Sequence, residues 1–470
     1  MADHLGADDG DRDRDAATLP AQGRQALTGD TIWAWATPPG RSAVAVLRIS
    51  GPAALQALAD LGVGRPPAPR RAVLARLCDG PGGPPIDQAL LLRFAAPASF
   101  TGEDLVELQH HGGIGVRRML AAALGRMPGL RPAEPGEFTR RAYLAGKLDL
   151  AAVEGLGDLI EATTARGVRT ALSRLEGAVG RQVGQWHEQL MELRAAVEAE
   201  LDFAADQADV ASGTLDRIGP AMVRLRAELA EALARAPAAE RLRQGFVVTV
   251  VGAPNVGKSS LVNLLAGREV AIVTDRPGTT RDPVEVALDL AGLPVTLIDT
   301  AGLRDSDDPI EQEGMRRARE KAASADLVLE LVDASEPVLP ALPAVPHAAG
   351  QARLVVANKA DLASVPADHL AISCRTGAGI DRMLAQLVAA LAAPDQAEAG
   401  AVPVGARAEA ALRDAQAALD DASGAVHLAE PVLVAEALRQ ASQALARVTG
   451  AGADAENVLD RIFARFCIGK

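Results

Sequence analysis

GAPNVGKS, running from Gly252 to Ser259, decides how this chain is read. It fits G-x-x-x-x-G-K-S/T, a loop whose backbone N–H groups cradle phosphates. In that pattern Lys258 reaches the terminal phosphates and the hydroxyl of Ser259 holds Mg²⁺. The flanks agree with the motif. FVVTVV, from Phe246 to Val251, is a short apolar run rich in β-branched residues and predicts a buried strand. A helix begins by Leu261, and its positive N-terminal end would face the phosphates.

Working outward, four more segments turn a phosphate loop into a guanine-nucleotide switch. VTLID, Val295 to Asp299, predicts a buried strand ending in an acid, followed by Thr300, Ala301 and Gly302. An Asp in that place can hold the water shell of Mg²⁺, and the Gly N–H can sense the γ-phosphate. Upstream, GTTRD at Gly278 to Asp282 lies in a polar loop, where Thr279 or Thr280 could complete the metal shell. Asn358, Lys359, Ala360 and Asp361 follow an apolar strand from Arg353 to Val356. The Asp361 carboxylate can accept two hydrogen bonds from guanine, whereas adenine offers no such donor pair. Ser373, Cys374 and Arg375 are placed to back the base with main-chain N–H groups. Together with Asn255, Val256, Gly257 and Ser260 of the phosphate loop, these residues make the chain a GTP binder. One residue is out of pattern: Leu303 stands where Ras-like enzymes carry the Gln that positions the attacking water. Asp305, Asp307, Asp308, Glu311 and Glu313 lie just downstream, and the residues alone do not choose among them.

The 470 residues are 49% apolar and 23% charged, values of a globular protein with about three domains. Aromatics make up only 2%, so the cores should be aliphatic and largely helical. A formal net charge of −13 argues against a broad electrostatic footprint for nucleic acid, though not against a local basic patch. Cys78, Cys374 and Cys467 are widely separated, without metal-type spacing, which suits a reducing compartment. No apolar run reaches the roughly 18 residues that a membrane helix needs. The first residues are Asp-rich and lack the apolar segment of a signal peptide. A cytoplasmic protein is expected.

In chain order the expected pieces are an acidic, disordered tail over 1–29 and a small mixed α/β domain over 30–150. Helical patterning over 151–244 forms a first helical half, the nucleotide unit occupies 245–392, and a second helical half fills 393–470. In the mixed domain the strand candidates are Thr31 to Ser50 (broken by a Pro-Pro-Gly turn), Gln88 to Phe94 and Asp104 to Gln109. Helices are expected from Pro52 to Leu61 and from Val116 to Leu124. Beyond Leu148 an apolar stripe at helical spacing runs to Leu201, and a helix is expected from Ala221 to Ala234. After the nucleotide unit, helices are expected at Ala406 to Ala422, Pro431 to Val448 and Ala455 to Phe466. The two helical halves should pack into one bundle interrupted by the inserted α/β unit.

The chain resembles the TrmE/MnmE family of tRNA modification GTPases from Thr31 to its last residue. The stretches that carry the resemblance are ATPPGR (Ala36 to Arg41), LRISG (Leu47 to Gly51), SFTGEDLVELQHHGG (Ser99 to Gly113) and PGEFTRRAYLAGKLDLAAVEGLGDLI (Pro135 to Ile160), with the GTPase motifs and the terminal FCIGK (Phe466 to Lys470). The resemblance implies a folate-binding N-terminal domain that also forms a homodimer, a discontinuous helical bundle, and an inserted Ras-like P-loop GTPase domain. It implies work with an FAD-containing partner of the GidA/MnmG family. Together they would add a (carboxymethyl)aminomethyl group to carbon 5 of the wobble uridine of certain tRNAs. The one-carbon unit would come from a tetrahydrofolate derivative, 5-formyl- or methylene-tetrahydrofolate.

The implied site residues follow from the same likeness. K⁺ beside the phosphates matches Asn255 and the loop Thr274, Asp275, Arg276, Pro277, Gly278 and Thr279, with Asn255, Thr274, Arg276 and Thr279 as ligands. Mg²⁺ matches Ser259 and Thr280. The glutamate that organises the hydrolytic water falls on Glu311. Folate contacts fall on Arg48, Glu107, Lys147 and Lys470, where a carboxylate suits the pterin edge and cations suit the glutamyl tail.

An alternative reading is a GTP-dependent ribosome-assembly or RNA-binding switch, which would be expected to carry a basic appendage that the sequence does not display. Cys467 admits three readings: a prenylation box, a buried inert thiol, or a nucleophile at the folate and tRNA site. The first fits poorly, since Gly469 is not aliphatic. Glu330, inside the apolar run LVLELV, is a polar intrusion with no evident function. Cys374 replaces the Ala common in the guanine-contacting motif, a tolerable change where backbone makes the contact.

Overall fold

The computed structural model describes residues 29–204, 214–268, 270–271, 285–299, 325–335, 352–366, 369–391, 405–450, 462–463, 466 and 469. All but Gly29 of the tail expected over 1–29 and most of the helix expected from Ala455 to Phe466 lie outside them. The chain divides into two compact units, one reaching Glu154 and taking in the chain from Gln443 onward, the other running from Gly155 to Ser442.

The first unit is built on a six-stranded sheet. Its strands are β1 (Thr31–Trp35), β2 (Ser42–Ser50), β3 (Val73–Cys78), β4 (Pro85–Phe94), β5 (Leu105–Gly112) and β6 (Leu130–Pro132), in the order β3-β4-β5-β2-β1-β6. Only the β1–β6 pairing is parallel. Alternation decides the faces, as strand geometry requires. Leu47, Ile49, Leu77, Leu91 and Leu108 point into a core shared with Leu58 of α1 (Ala54–Asp60) and with Leu120 and Leu124 of α2 (Ile114–Gly125). The intervening positions Val46, Arg48, Leu74, Arg76, Leu90, Glu107 and Gln109 stay on the open face. Strands β3 and β6 are not among those the sequence pattern predicts.

A buried charge cluster closes one end of this sheet. Arg141, on α3 (Glu137–Leu144), is only 2% exposed and meets Asp30, Glu103 and Glu137 at 3.0–3.1 Å. Burial weighs most on the Glu137 carboxyl and pushes it up. Hydrogen bonds from Arg131, the Glu134 N–H and Arg141 outweigh that and hold it below the usual carboxylate range. The chain's end packs on the same unit: Phe463 joins Tyr143, Leu150 and Val153 in an apolar cluster.

The second unit combines helices with a second sheet. From α4 (Leu150–Glu161) the chain continues through α5 (Ala165–Leu175), whose cap Thr164 accepts from the Gly167 N–H at 3.1 Å, and α6 (Ala178–Ala204). The helix expected at Ala221 is longer, α7 (Thr214–Gln244), and holds Pro220 and Pro237 inside it. Ile218, Met222, Leu225, Leu229, Ala232, Ala236 and Ala239 are buried at helical spacing, so packing of that stripe overrides the local cost of proline. The helix before the inserted sheet packs against one after it, α10 (Ala406–His427), through an alanine-rich face. Polar ties join the same layers, with Trp186 Nε1 donating to Glu228 at 2.9 Å and Arg226 pairing with Asp420 at 2.8 Å. In α11 (Pro431–Thr449), Ser442 meets His187 at 3.1 Å.

The inserted sheet has the order β12-β11-β10-β7-β9-β8. Its strands are β7 (Phe246–Gly252), β8 (Glu285–Leu290), β9 (Leu293–Asp299), β10 (Leu327–Asp333), β11 (Ala352–Asn358) and β12 (Leu370–Ala371). All neighbours are parallel except the β8–β9 hairpin. Helices α8 (Lys258–Ala266) and α9 (Ile380–Leu391) complete an apolar core with Val248, Val250, Leu297, Leu329 and Val356. Glu330, the polar intrusion, has a partner. It is 3% exposed, and Arg353 from the neighbouring strand reaches across the sheet to pair with it.

Candidate functional site

The nucleotide residues converge at the C-terminal ends of the parallel strands, where open α/β sheets place their ligands. Strand β7 delivers the loop Ala253–Gly257, and α8 starts at Lys258, so the helix dipole and free N–H groups face the loop. Lys258 arcs back over the loop and donates from Nζ to the carbonyls of Gly252 and Ala253, both at 2.8 Å. Ser259 Oγ donates to Asp299 Oδ2 at 2.7 Å, which joins the start of α8 to the end of β9. Asp299 is 3% exposed. Two oxygen donors so placed are the chemistry that a hard divalent cation selects.

Asn358 ties the two halves of the site together. Its Nδ2 donates to the Val256 carbonyl at 2.8 Å, and its Oδ1 accepts from the Cys374 N–H at 3.1 Å. One buried amide therefore fixes the phosphate loop and the loop expected to back the base. Gly257 is required by this closeness: its φ is +104°, and a Cβ there would sit 2.3 Å from Asn358 Nδ2. Next along, Lys359 Nζ pairs with Asp333 Oδ2 at 2.6 Å, an acid at the end of β10 that no sequence motif marks. Burial pushes the Asp333 carboxyl up, but bonds from Lys359 and Ser335 outweigh it and set it below its ordinary value.

Asp361 accepts from Ser373 Oγ at 2.6 Å and pairs with Arg375 at 2.8 Å. The Ser373 hydrogen bond, with help from Arg375, holds this carboxyl below its usual range, so it stays an acceptor at neutral pH. Cys374 is half-buried, and burial pushes its thiol up, which keeps it neutral. The structure thus brings together Asn255, Val256, Gly257, Lys258, Ser259, Ser260, Asp299, Asn358, Lys359, Ala360, Asp361, Ser373, Cys374 and Arg375. Thr274, Asp275, Arg276, Pro277, Gly278, Thr279, Thr280, Thr300, Ala301, Gly302, Leu303 and Glu311 lie outside the described residues. A separate cavity of about 300 Å³ lies between α5, the end of α7 and the β8–β9 hairpin, with Asp158, Arg174 and Arg243 in its wall. It contains none of the nucleotide residues.

In the first unit, Arg48 and Glu107 are register partners on β2 and β5, with Arg48 donating to Glu107 at 2.8 and 3.1 Å. The Arg48 guanidinium lies 5.7 Å from the ring centroids of both Phe100 and Phe138, a cation–π contact on each. Both phenylalanines lie in stretches that carry the resemblance, but their contact with Arg48 is not legible there, since only the fold brings 48, 100 and 138 together. A Cβ on Gly102 would come within 3.9 Å of Lys147 Cε, so Lys147 borders the same loop as Phe100. Lys470 and Cys467 lie outside the described residues, but their neighbour Gly469 sits against β1. Its φ is +101°, and a Cβ there would meet the Trp35 carbonyl oxygen at 2.1 Å.

Two family models match the chain, one described as the MnmE helical domain over residues 150–467 and one as the GTP-binding protein TrmE N-terminus over residues 31–147. The chain is 48% identical over 447 residues to the tRNA modification GTPase MnmE of Methylobacterium sp. (strain 4-46), covering 94% of this chain and 100% of that protein. It is 46% identical over 446 residues to the protein of the same name from Parvibaculum lavamentivorans, again covering 94% and 100%. It is 44% identical over 465 residues to the mitochondrial 5-taurinomethyluridine tRNA synthase subunit GTPB3 of Rattus norvegicus, covering 94% of each.

Proposed function

We propose a function from one premise: this chain belongs to the MnmE family of tRNA modification GTPases. It is a GTPase that takes part in tRNA modification. The finer reading is that it acts with an FAD-containing partner on carbon 5 of the wobble uridine of certain tRNAs. A tetrahydrofolate derivative would supply the one-carbon unit. The observation that best supports the nucleotide part is Asn358, which holds the phosphate loop and the base-backing loop with one buried amide.

In this reading Lys258 and the loop N–H groups bind the β- and γ-phosphates, and Asp361 selects guanine. Against adenine the carboxylate would lose water and gain no donor in return, which favours GTP over ATP. Mg²⁺ would be held by Ser259 and Thr280, with Asp299 steadying its shell, and when bound it would neutralise phosphate charge. K⁺ would be held by Asn255, Thr274, Arg276 and Thr279, and Glu311 would orient the attacking water. In the N-terminal sheet Arg48, Glu107, Lys147 and Lys470 would bind the folate. The Arg48–Glu107 pair supports this, because each side chain holds the other's charged group on the open face. The same reading includes a homodimer through domain 30–150, helical halves 151–244 and 393–470 around the GTPase domain 245–392, and a cytoplasmic location. Among the described residues no helix is long and apolar enough to cross a membrane.

Two experiments test this. With purified protein, K⁺ should accelerate GTP hydrolysis and Na⁺ should not, and Glu311→Ala should abolish turnover while keeping GTP binding; equal rates in both salts remove the K⁺ mechanism. Nucleoside analysis of tRNA from cells lacking the protein should show the wobble modification lost, and unchanged wobble uridines would overturn the assignment.

A further inference from the structure

The chain carries a net charge of −13, yet between Thr31 and Leu150 it has 14 Arg and Lys against nine Asp and Glu, a local excess of five positive charges. Five of those cations, Arg48, Arg93, Arg126, Arg131 and Arg141, pair with carboxylates. Arg65, Arg70, Arg71 and Arg76 differ. All four are exposed, and among the described residues none has a carboxylate partner. They border or lie on β3, the edge strand of the sheet.

Their backbone is set in advance. The loop reads GRPPAPRRA, and its three prolines fix φ over the approach to Arg70, with Pro67 buried. The Arg71 N–H closes a turn onto the Ala68 carbonyl at 3.1 Å, and the Arg70 N–H donates to the Arg93 carbonyl at 2.8 Å. Arg70 itself is held at φ +59°. Less conformational freedom is therefore given up when these guanidiniums are engaged. From Arg71 to Arg76 the chain reaches at most about 16 Å, room for several phosphates of one backbone. Between them Val73 and Leu74 are 42% and 68% exposed.

The register says what a polyanion here would be next to. Leu74 opposes Leu90, Leu90 opposes Gln109, and Gln109 opposes Val46, so Leu74 and Arg76 share the open face with Arg48 and Glu107. Three strand spacings, about 14 Å, separate the edge strand from β2. We propose that Arg70, Arg71 and Arg76, with Arg65 beside them, form a docking surface for the phosphate backbone of the tRNA substrate. They would hold it along the edge of the sheet, on the face that carries the Arg48–Glu107 pair. Charge on an edge strand also guards against strand pairing between molecules, but that role needs neither a proline-braced loop nor a regional charge of opposite sign to the whole. The inference rests on the tRNA reading above, and its test separates the two.

The measurement is binding of full-length protein to an unmodified tRNA transcript over 50–200 mM KCl, by fluorescence anisotropy, for wild type and R70Q/R71Q/R76Q. Each arginine that neutralises a phosphate should contribute about 0.7–1 to the slope of log affinity against log salt. The triple variant should thus fall short of wild type by about two to three units of slope and at least tenfold in affinity near 100 mM, with GTP hydrolysis unchanged. R70K/R71K/R76K keeps the charge and should keep most of the slope, which separates phosphate binding from a folding defect. Unchanged affinity and slope, or no salt-dependent binding by the wild type, overturns the docking surface. In cells lacking the protein, wild type should restore the wobble modification and the Gln variant should not. If the variant binds tRNA normally yet fails to restore it, the patch serves an acidic protein partner and the proposal is wrong. If wild type itself restores nothing, the tRNA reading falls instead.

Discussion

Replacing Arg141 by Met tests whether the buried charge cluster, rather than the apolar core alone, stabilises this end of the N-terminal sheet. Arg141 is 2% exposed and serves three carboxylates, but they depend on it unequally. Glu137 would keep Arg131 at 2.7 and 2.8 Å and the Glu134 N–H at 2.9 Å. Asp30 would keep Arg131 at 2.6 Å. Glu103, with a side chain 18% exposed, would keep only the Ser50 hydroxyl at 2.8 Å among the described residues. Breaking a buried pair costs about 3–5 kcal/mol, mostly as the penalty on the charge left behind. Partial exposure of Glu103 lowers that to about 2–4 kcal/mol here. Since the penalty sits on Glu103, Glu103→Gln in the Arg141→Met background should return about 1–2 kcal/mol, whereas Glu137→Gln should return little. The assay is urea unfolding of the full chain carrying Trp186→Phe, so that Trp33 and Trp35 alone report. The sign with pH is fixed as well. Glu137 has a depressed carboxyl, so its contribution is complete above the unfolded value near 4.5 and is lost as pH falls from there through the folded value. Arg141 is one of three donors that hold it there, so Arg141→Met should flatten the acid limb only in part, the rest surviving through Arg131 and the Glu134 N–H. A loss under about 1 kcal/mol, or equal rescue by the two Gln changes, would refute the assignment of the penalty to Glu103.

Three further outcomes concern close approaches in the structure. Asn358→Ala removes both amide bonds, each worth about 1 kcal/mol, and should weaken GTP at least tenfold in a fluorescent-nucleotide titration; wild-type affinity would show that the loops are ordered without it. Gly469→Ala forces a side chain onto the Trp35 carbonyl at a φ of +101°, and on the folate reading proposed above it should lower affinity for 5-formyl-tetrahydrofolate by calorimetry while GTP hydrolysis stays at the wild-type rate. Equal folate affinity would mean that the chain's end does not shape that site. Arg353→Ala leaves Glu330 buried without its cation and should lower the thermal midpoint of the GTPase sheet, and Glu330→Gln in the same chain should recover part of the loss; no recovery would place the defect elsewhere.

What is legible in the sequence is what is local. Eight consecutive residues specify the phosphate loop, and the strand before it and the helix after it are set by their own apolar periods. The tetrapeptide at Asn358 and the tripeptide at Ser373 are just as local, and the fold only has to bring them together. The misses share the opposite property. Strand β3 follows a run of prolines and arginines, and alternation there is weak because Val73, Leu74 and Arg76 are all exposed. Strand β6 is three residues ending in Pro132, and it exists only because β1 offers it a parallel edge. The helix expected from Ala221 starts seven residues earlier, at Thr214, since the buried stripe from Ile218 to Ala239 outweighs the missing N–H of Pro220. Glu330 looks purposeless in sequence because its partner is on the next strand, and residue pairing across a sheet is invisible until register is known.

Charge shows the same limit in a form that bears on function. A whole-chain value of −13 reads as evidence against a broad nucleic-acid surface. Yet electrostatic interactions in water at physiological salt fade over about 8 Å, a small fraction of the span of a chain this long. A phosphate at the edge strand therefore responds to Arg65, Arg70, Arg71 and Arg76 and to whatever else lies within that range, and hardly at all to carboxylates beyond it. Net charge is informative only when summed over a region that a single ligand can sense. Summed over 31–150 it changes sign, and within that region four arginines without a carboxylate partner among the described residues border or lie on one strand. Reversing exposed acidic residues of the α7–α10 pair, Asp420 among them, should then leave tRNA affinity and its salt slope where they are, which the same anisotropy titration would measure. A comparable gain in slope from those changes would mean that the protein acts on tRNA through its overall field, and the edge strand would lose its special standing.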